Sequence, residues 1–154
     1  MSQSLSQIWV HIVFSTKDRY PFLKEVSMQE RLHQYIKSLC NEQGCNVAAI
    51  GGVEDHVHIL VCMSKKITLC YLVEKIKKSS SKWIKSVAMN NVLLAKFYWQ
   101  NGYGAFSVSQ SNLDRVKMYI KNQRYHHQTQ SFEDEFKKIL IRHGVNYDER
   151  YLFT

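Results

Sequence analysis

The chain has 154 residues, 45% of them apolar, which is the size and content of one domain with one packed core. No run approaches the ~20 consecutive apolar residues of a membrane-crossing helix, and Met1 to Gln7 lacks the basic-then-apolar pattern of an export signal, so a cytoplasmic chain with no membrane partner is expected. Four cysteines (Cys40, Cys45, Cys62, Cys70) are too few for a disulfide scaffold, while a formal net charge of +8 points to a polyanionic partner.

Gln7 to Ser15 (QIWVHIVFS) is rich in β-branched and aromatic residues and predicts a first strand. Ser27 is placed to cap a helix running to about Glu42, with Leu32, Ile36 and Leu39 on one face and Gly44 as its stop. Asn46 to Val53 and His56 to Met63 read as two strands joined in an antiparallel hairpin through Glu54 and Asp55. Thr68 caps a second helix, in which Leu69, Leu72, Val73, Ile76, Trp83, Ile84 and Val87 recur at helical spacing.

Phe97 to Trp99 and Ala105 to Ser109 predict short extended segments around the turn Asn101 to Gly104 (NGYG). Ser111 is placed to cap a helix over about 111–127, and Ser131, with Glu133 and Asp134 in the first turn, starts another that stops at Gly144. The whole is an α+β, ferredoxin-like (RRM-like) pattern in a single domain, residues 1–154: an antiparallel sheet with helices on one face and a C-terminal tyrosine-bearing helix.

The positive charge is concentrated. Between Lys65 and Lys96 eight lysines face one acid, Glu74, an imbalance that folding alone does not favour and that nucleic acid would neutralise. Lys75, Lys78, Ser79, Lys82 and Lys85 are the candidate phosphate contacts, and Trp83, Phe97, Tyr98 and Trp99 are candidate platforms for unpaired bases.

His56 and His58 stand two apart on a predicted strand, so strand alternation puts both imidazoles on one face, able to chelate a divalent metal, with Val57 turned to the core. Tyr119 and Gln123 stand one helical turn apart, about 6 Å along the axis. By spacing alone, the favoured reading of Tyr119 is a core residue packed with Val116, and of Gln123 a solvated one.

His56-Val57-His58 resembles the HUH motif (histidine, bulky hydrophobic, histidine), and Tyr119-Ile-Lys-Asn-Gln123 resembles the tyrosine-helix motif of the single-tyrosine HUH transposases of bacterial and archaeal insertion sequences. Trp9-Val-His-Ile-Val-Phe14, Trp99-Gln-Asn-Gly-Tyr-Gly-Ala-Phe-Ser107 and Tyr147-Asp-Glu-Arg-Tyr151 extend the resemblance over nearly the whole chain. The resemblance implies an HUH domain that cleaves and rejoins single-stranded DNA at hairpin-bearing transposon ends. Tyr119 would be the nucleophile of a 5′-phosphotyrosine intermediate, and His56, His58 and Gln123 would be ligands of Mg²⁺ or Mn²⁺. It further implies a homodimer whose sites pair the histidines of one subunit with the tyrosine helix of the other. The alternatives are a plasmid-type or domesticated nickase of the same chemistry, a non-catalytic nucleic-acid-binding module, and a zinc site built from Cys40, Cys45, His56 and His58.

Overall fold

A computed structural model describes residues 2–154. Strand β1 (Trp9–Ser15) leads through a short 3-10 turn to helix α1 (Val26–Glu42), then to the hairpin of β2 (Asn46–Gly52) and β3 (His56–Cys62). Helix α2 (Leu69–Val87) follows, then β4 (Gly104–Val108), and then three helices, α3 (Leu113–Lys121), α4 (Gln123–His126) and α5 (Phe132–Arg142). The strands form one antiparallel sheet in the order β2-β3-β1-β4, which is the ferredoxin-like arrangement expected from the sequence.

Strand alternation decides which layer each residue joins. Val10, Ile12 and Phe14 of β1 and Val57, Ile59 and Val61 of β3 face the main core, closed by Leu32, Ile36 and Leu39 of α1 and Leu72, Val73, Ile76 and Ile84 of α2. Cys40 and Cys45 are buried in this same layer, and burial pushes the Cys40 thiol up to about 12. His56 and His58 share the parity of Leu60, which packs on the opposite face with Leu113 and Ile120, so the sheet separates them from the cysteines and no four-residue zinc site forms.

The second face is covered, too. Val13 and Phe106 pack against Phe132, Phe136, Ile139 and Leu140 of α5, while Ala49 and Leu60 pack against Leu113 and Ile120 of α3. The sheet expected to carry helices on one face and a C-terminal tyrosine-bearing helix thus lies between two helical layers, α1 and α2 below and the tyrosine-side helices above. Two glycines permit the close approach of the upper layer. A Cβ on Gly51 would lie 2.2 Å from the Ile120 carbonyl oxygen, and one on Gly104 would lie 2.6 Å from the Phe136 ring.

Three expected helix ends differ. Helix α1 starts at Val26, putting Ser27 inside the first turn, where the Glu25 carbonyl accepts from Met28 and Gln29 and no side chain caps. Ser111 lies in a 3-10 turn, its hydroxyl on that of Ser109 at 3.1 Å, and the helix proper begins at Leu113. The expected continuous helix over 111–127 breaks at Asn122: its N–H reaches the Met118 carbonyl, and its own carbonyl receives the N–H groups of Tyr125 and His126. Thr68 and Ser131 do cap, accepting from Tyr71 N–H and Asp134 N–H at 3.2 Å each.

Candidate active site and metal centre

Strand β3 presents His56 and His58 upward, fully buried, with ring centroids 5.1 Å apart. Over them lies the break between α3 and α4. Gln123, the first residue of α4, is 1% exposed rather than solvated, and its Oε1 accepts from His56 Nε2 at 3.1 Å. Tyr119, near the end of α3, sits edge-on to His58 at 5.7 Å between ring centroids and stacks on His126 at 4.9 Å. Its ring leans on the Leu60 and Ile120 cluster, as a core tyrosine would, while its hydroxyl points into the site. The four sequence-predicted residues therefore converge, and they do so within one chain.

Four further residues, Glu135, His127, His11 and Asp55, complete the cluster. Glu135 of α5 is 1% exposed and touches nearly everything: its Oε1 lies 2.9 Å from His58 Nε2, 3.4 Å from His56 Nε2 and 3.1 Å from His127 Nε2. Its Oε2 accepts from Gln123 Nε2 at 3.2 Å and from the Tyr119 hydroxyl. His11, buried on β1, reaches His58 Nδ1 through its Nε2 at 2.8 Å. Because His58 Nε2–H donates to Glu135, its Nδ1 is the acceptor and His11 the donor. Asp55, in the β-hairpin turn, holds His56 Nδ1 at 2.6 Å, the carboxylate–imidazole pairing that fixes ring orientation in metal sites.

The charges follow from this geometry. Burial alone would pull His56 down, but its hydrogen bonds to Asp55 and Glu135, and their charges, outweigh this and raise it to about 9. Burial dominates at His58, lowered to about 4, and at His11, lowered to about 3 with help from His58. Burial would raise Glu135, yet hydrogen bonds from His127, His56 and His58 hold it far below the ordinary carboxylate range. Tyr119 is raised by burial and then by the negative charge of Glu135. An anionic carboxylate among imidazoles, with a protonated phenol, is the resting state of the cluster.

Such a set suits a divalent ion. His56, His127 and Glu135 offer ligand atoms all within 4.8 Å of one another, and Gln123 Oε1 and His58 Nε2 adjoin them. Imidazole nitrogens with amide and carboxylate oxygens match the donor preferences of Mn²⁺ and similar borderline ions, and Mg²⁺ accepts the oxygens.

Sequence reasoning missed Glu135, His127 and His11. Glu135 carried a signal: it falls on the stripe Phe132, Phe136, Ile139, Leu140, where an acid among apolar positions has to find partners on burial. His11 is the polar interruption in an apolar strand, whereas His127 lies in a polar stretch and carries no signal at all.

The candidate DNA-binding residues lie elsewhere. Lys78, Lys82 and Lys85 of α2, with Lys77 and Ser81, line a groove of about 490 Å³ against Tyr98 to Asn101, on the far side of the sheet from the histidines. Lys75 and Ser79 are outside that lining. Of the aromatics, Phe97 and Trp99 are core, Trp83 stacks on Tyr35 at 4.9 Å, and only Tyr98 is exposed, with Lys85 Nζ 4.1 Å above its ring. Lys77 donates to the carbonyls of Gln100, Asn101 and Gly102, tying α2 to the glycine turn, and burial lowers it to about 8.

Comparison with known proteins bears on this arrangement. A putative transposase from Deinococcus radiodurans R1 has a similar structure, with a TM-score of 0.62 at 20% identity over 80% of this chain and 98% of that one. A REP-associated tyrosine transposase bound to a REP hairpin superposes with a TM-score of 0.56 at 16% identity, over 82% of this chain and 74% of that one. No curated protein matches the chain. The family described as "Transposase IS200 like" matches residues 4–123, a span that holds the histidine pair, Tyr119 and Gln123 and stops short of Glu135. The chain belongs to the IS200-like transposase family.

Proposed function

We propose that the protein cleaves and rejoins single-stranded DNA at hairpin-bearing transposon ends, with Tyr119 as the nucleophile and with His56, His58 and Gln123 holding Mg²⁺ or Mn²⁺. The observation that carries this reading is the convergence of a tyrosine hydroxyl, two imidazoles and an amide oxygen in one buried cluster. A tyrosine attack on a phosphodiester leaves a 5′-phosphotyrosine and a free 3′-OH, so bond energy is kept for rejoining. A bound divalent ion supplies charge neutralisation on the phosphate oxygens. Asp55 and His11 orient the two imidazoles, and the α2 groove, with Tyr98 as a stacking surface, grips the DNA backbone. The DNA-bound tyrosine transposase among the structural neighbours has a hairpin as its ligand, which makes a hairpin the first substrate to try.

The protein acts as a homodimer in this reading. In the arrangement described, Tyr119 serves the histidines of its own chain, since it already lies beside His58.

The test uses a pool of single-stranded oligonucleotides, each with a hairpin and a randomised flank, incubated with Mn²⁺. A protein–DNA adduct that survives denaturation is expected from the wild type and is absent from Tyr119→Phe. An adduct of equal yield from Tyr119→Phe, or none from the wild type, rejects the reading. Mixing Tyr119→Phe with His56→Ala subunits then restores nothing if the site is built within one chain, and restores activity if it is shared across the dimer.

A further inference from the structure

The reaction needs a group to relieve Tyr119 of its proton, and His56, His58 and Gln123 offer no free basic atom once they hold an ion. We propose that Glu135, outside the family-matched span, is that group: its Oε2 is the general base that takes the Tyr119 proton during attack. The inference rests on the strand-transfer reading above.

Geometry carries it. The Tyr119 hydroxyl donates directly to Glu135 Oε2, so the proton has its acceptor before the substrate arrives. The two carboxylate oxygens face different neighbours: Oε1 turns to His58, His56 and His127, and Oε2 turns to Tyr119 and Gln123. Metal-side contacts can therefore use one oxygen and leave the other for the phenol. Gln123 Nε2, donating to Oε2 at 3.2 Å, and the Ser131-capped first turn of α5 hold the carboxylate in place. With the side chain 1% exposed, water does not compete for the proton.

The step balances. The Tyr119 Oη–P bond forms as the P–O3′ bond breaks, the phenolic proton passes to Glu135 Oε2, and the 3′ oxygen takes a proton from water to become a 3′-OH. In rejoining, the 3′-OH attacks phosphorus and gives its proton to water, and Glu135 returns its proton to the departing phenolate.

The experiment measures single-turnover adduct formation with a hairpin oligonucleotide that the wild type cleaves. Mn²⁺ is held at saturation, as set for each variant by a direct Mn²⁺-binding titration. Glu135→Gln keeps the shape and an acceptor but not the basicity, and its rate is expected to fall by about 100-fold or more. Placing 3,5-difluorotyrosine at position 119 makes the phenol more acidic and is expected to recover at least about tenfold of that loss, while giving the wild type no gain. Glu135→Asp, which keeps a carboxylate one methylene shorter, repeats the comparison if thermal melts show Glu135→Gln unfolded. A loss seen only at subsaturating Mn²⁺ and gone at each variant's saturation makes Glu135 only a ligand and overturns the proposal. So does a rate equal to or above that of the wild type, or a slow variant that fluorination leaves unchanged. Absence of any wild-type adduct fails the underlying reading itself, a result that the wild-type control separates from all the others.

Discussion

Alanine at position 51 tests whether the tyrosine helix is placed by backbone contact. Gly51 pairs with His58 across the β2–β3 ladder, and the last turn of α3 rests on it, with the Ile120 carbonyl oxygen 2.2 Å from where a Cβ would be. Ordinary contact begins near 3.4 Å, so α3 has to lift by about 1.2 Å, because the obstacle is backbone and cannot rotate away. Overpacking of this kind costs about 1–3 kcal/mol, which for a chain of this length lowers Tm by roughly 2–12 °C. A displacement of about 1 Å at a reacting group costs on the order of 100-fold in rate, and Tyr119 is the residue next to the one displaced. Thermal melts and adduct-formation rates, both taken below the variant's Tm, give the two numbers. A Gly51→Ala protein with wild-type Tm and wild-type rate would refute the reasoning.

Other consequences can be measured separately. His33 is lowered to about 4, by burial first and then by the charges of Arg124 and His56, against 6.5 in an unfolded chain. The unfolded state thus binds the proton more readily: the stability tied to neutral His33 is whole above pH 6.5 and is lost as pH falls to 4, up to about 3 kcal/mol. His33→Asn should flatten the decline in stability between pH 7 and pH 4.5 measured by denaturant melts; an unchanged slope contradicts this assignment. Replacing Lys82 and Lys85 by alanine should weaken binding of single-stranded DNA and reduce the slope of log affinity against log salt by roughly 1.4. Mn²⁺ affinity should stay as it was, and a salt slope equal to that of the wild type would remove the groove from the binding surface.

The ferredoxin-like sheet, the core between it and α1 and α2, and the grouping of His56, His58, Tyr119 and Gln123 were legible because each depends on a local period or a whole-chain motif. Strand alternation alone placed the histidines opposite Val57. What escaped needed distances between elements remote in sequence: Glu135 lies 79 residues from His56, and only the packing of α5 through Phe132 and Phe136 brings it over β3. The break at Asn122 escaped for a different reason, since a cap formed by backbone alone leaves little trace in residue type. Composition likewise overstated the aromatics available for stacking, because Phe97 and Trp99 are as apolar in the core as they would be sticky outside it.

The sheet itself has a consequence for how such a protein changes over time. The groove along α2 and the histidine cluster occupy opposite faces, linked at the edge by Lys77 reaching the 100–102 backbone. Surface lysines of α2 can be exchanged without repacking anything that touches His56 or Tyr119, so in the proposed function preference for one DNA shape over another would be free to drift while the reaction stays intact. If that reading holds under test, α2 and the Tyr98 loop are the surfaces to randomise in redirecting the protein to a new sequence, and the layer above β3 is the one to leave fixed.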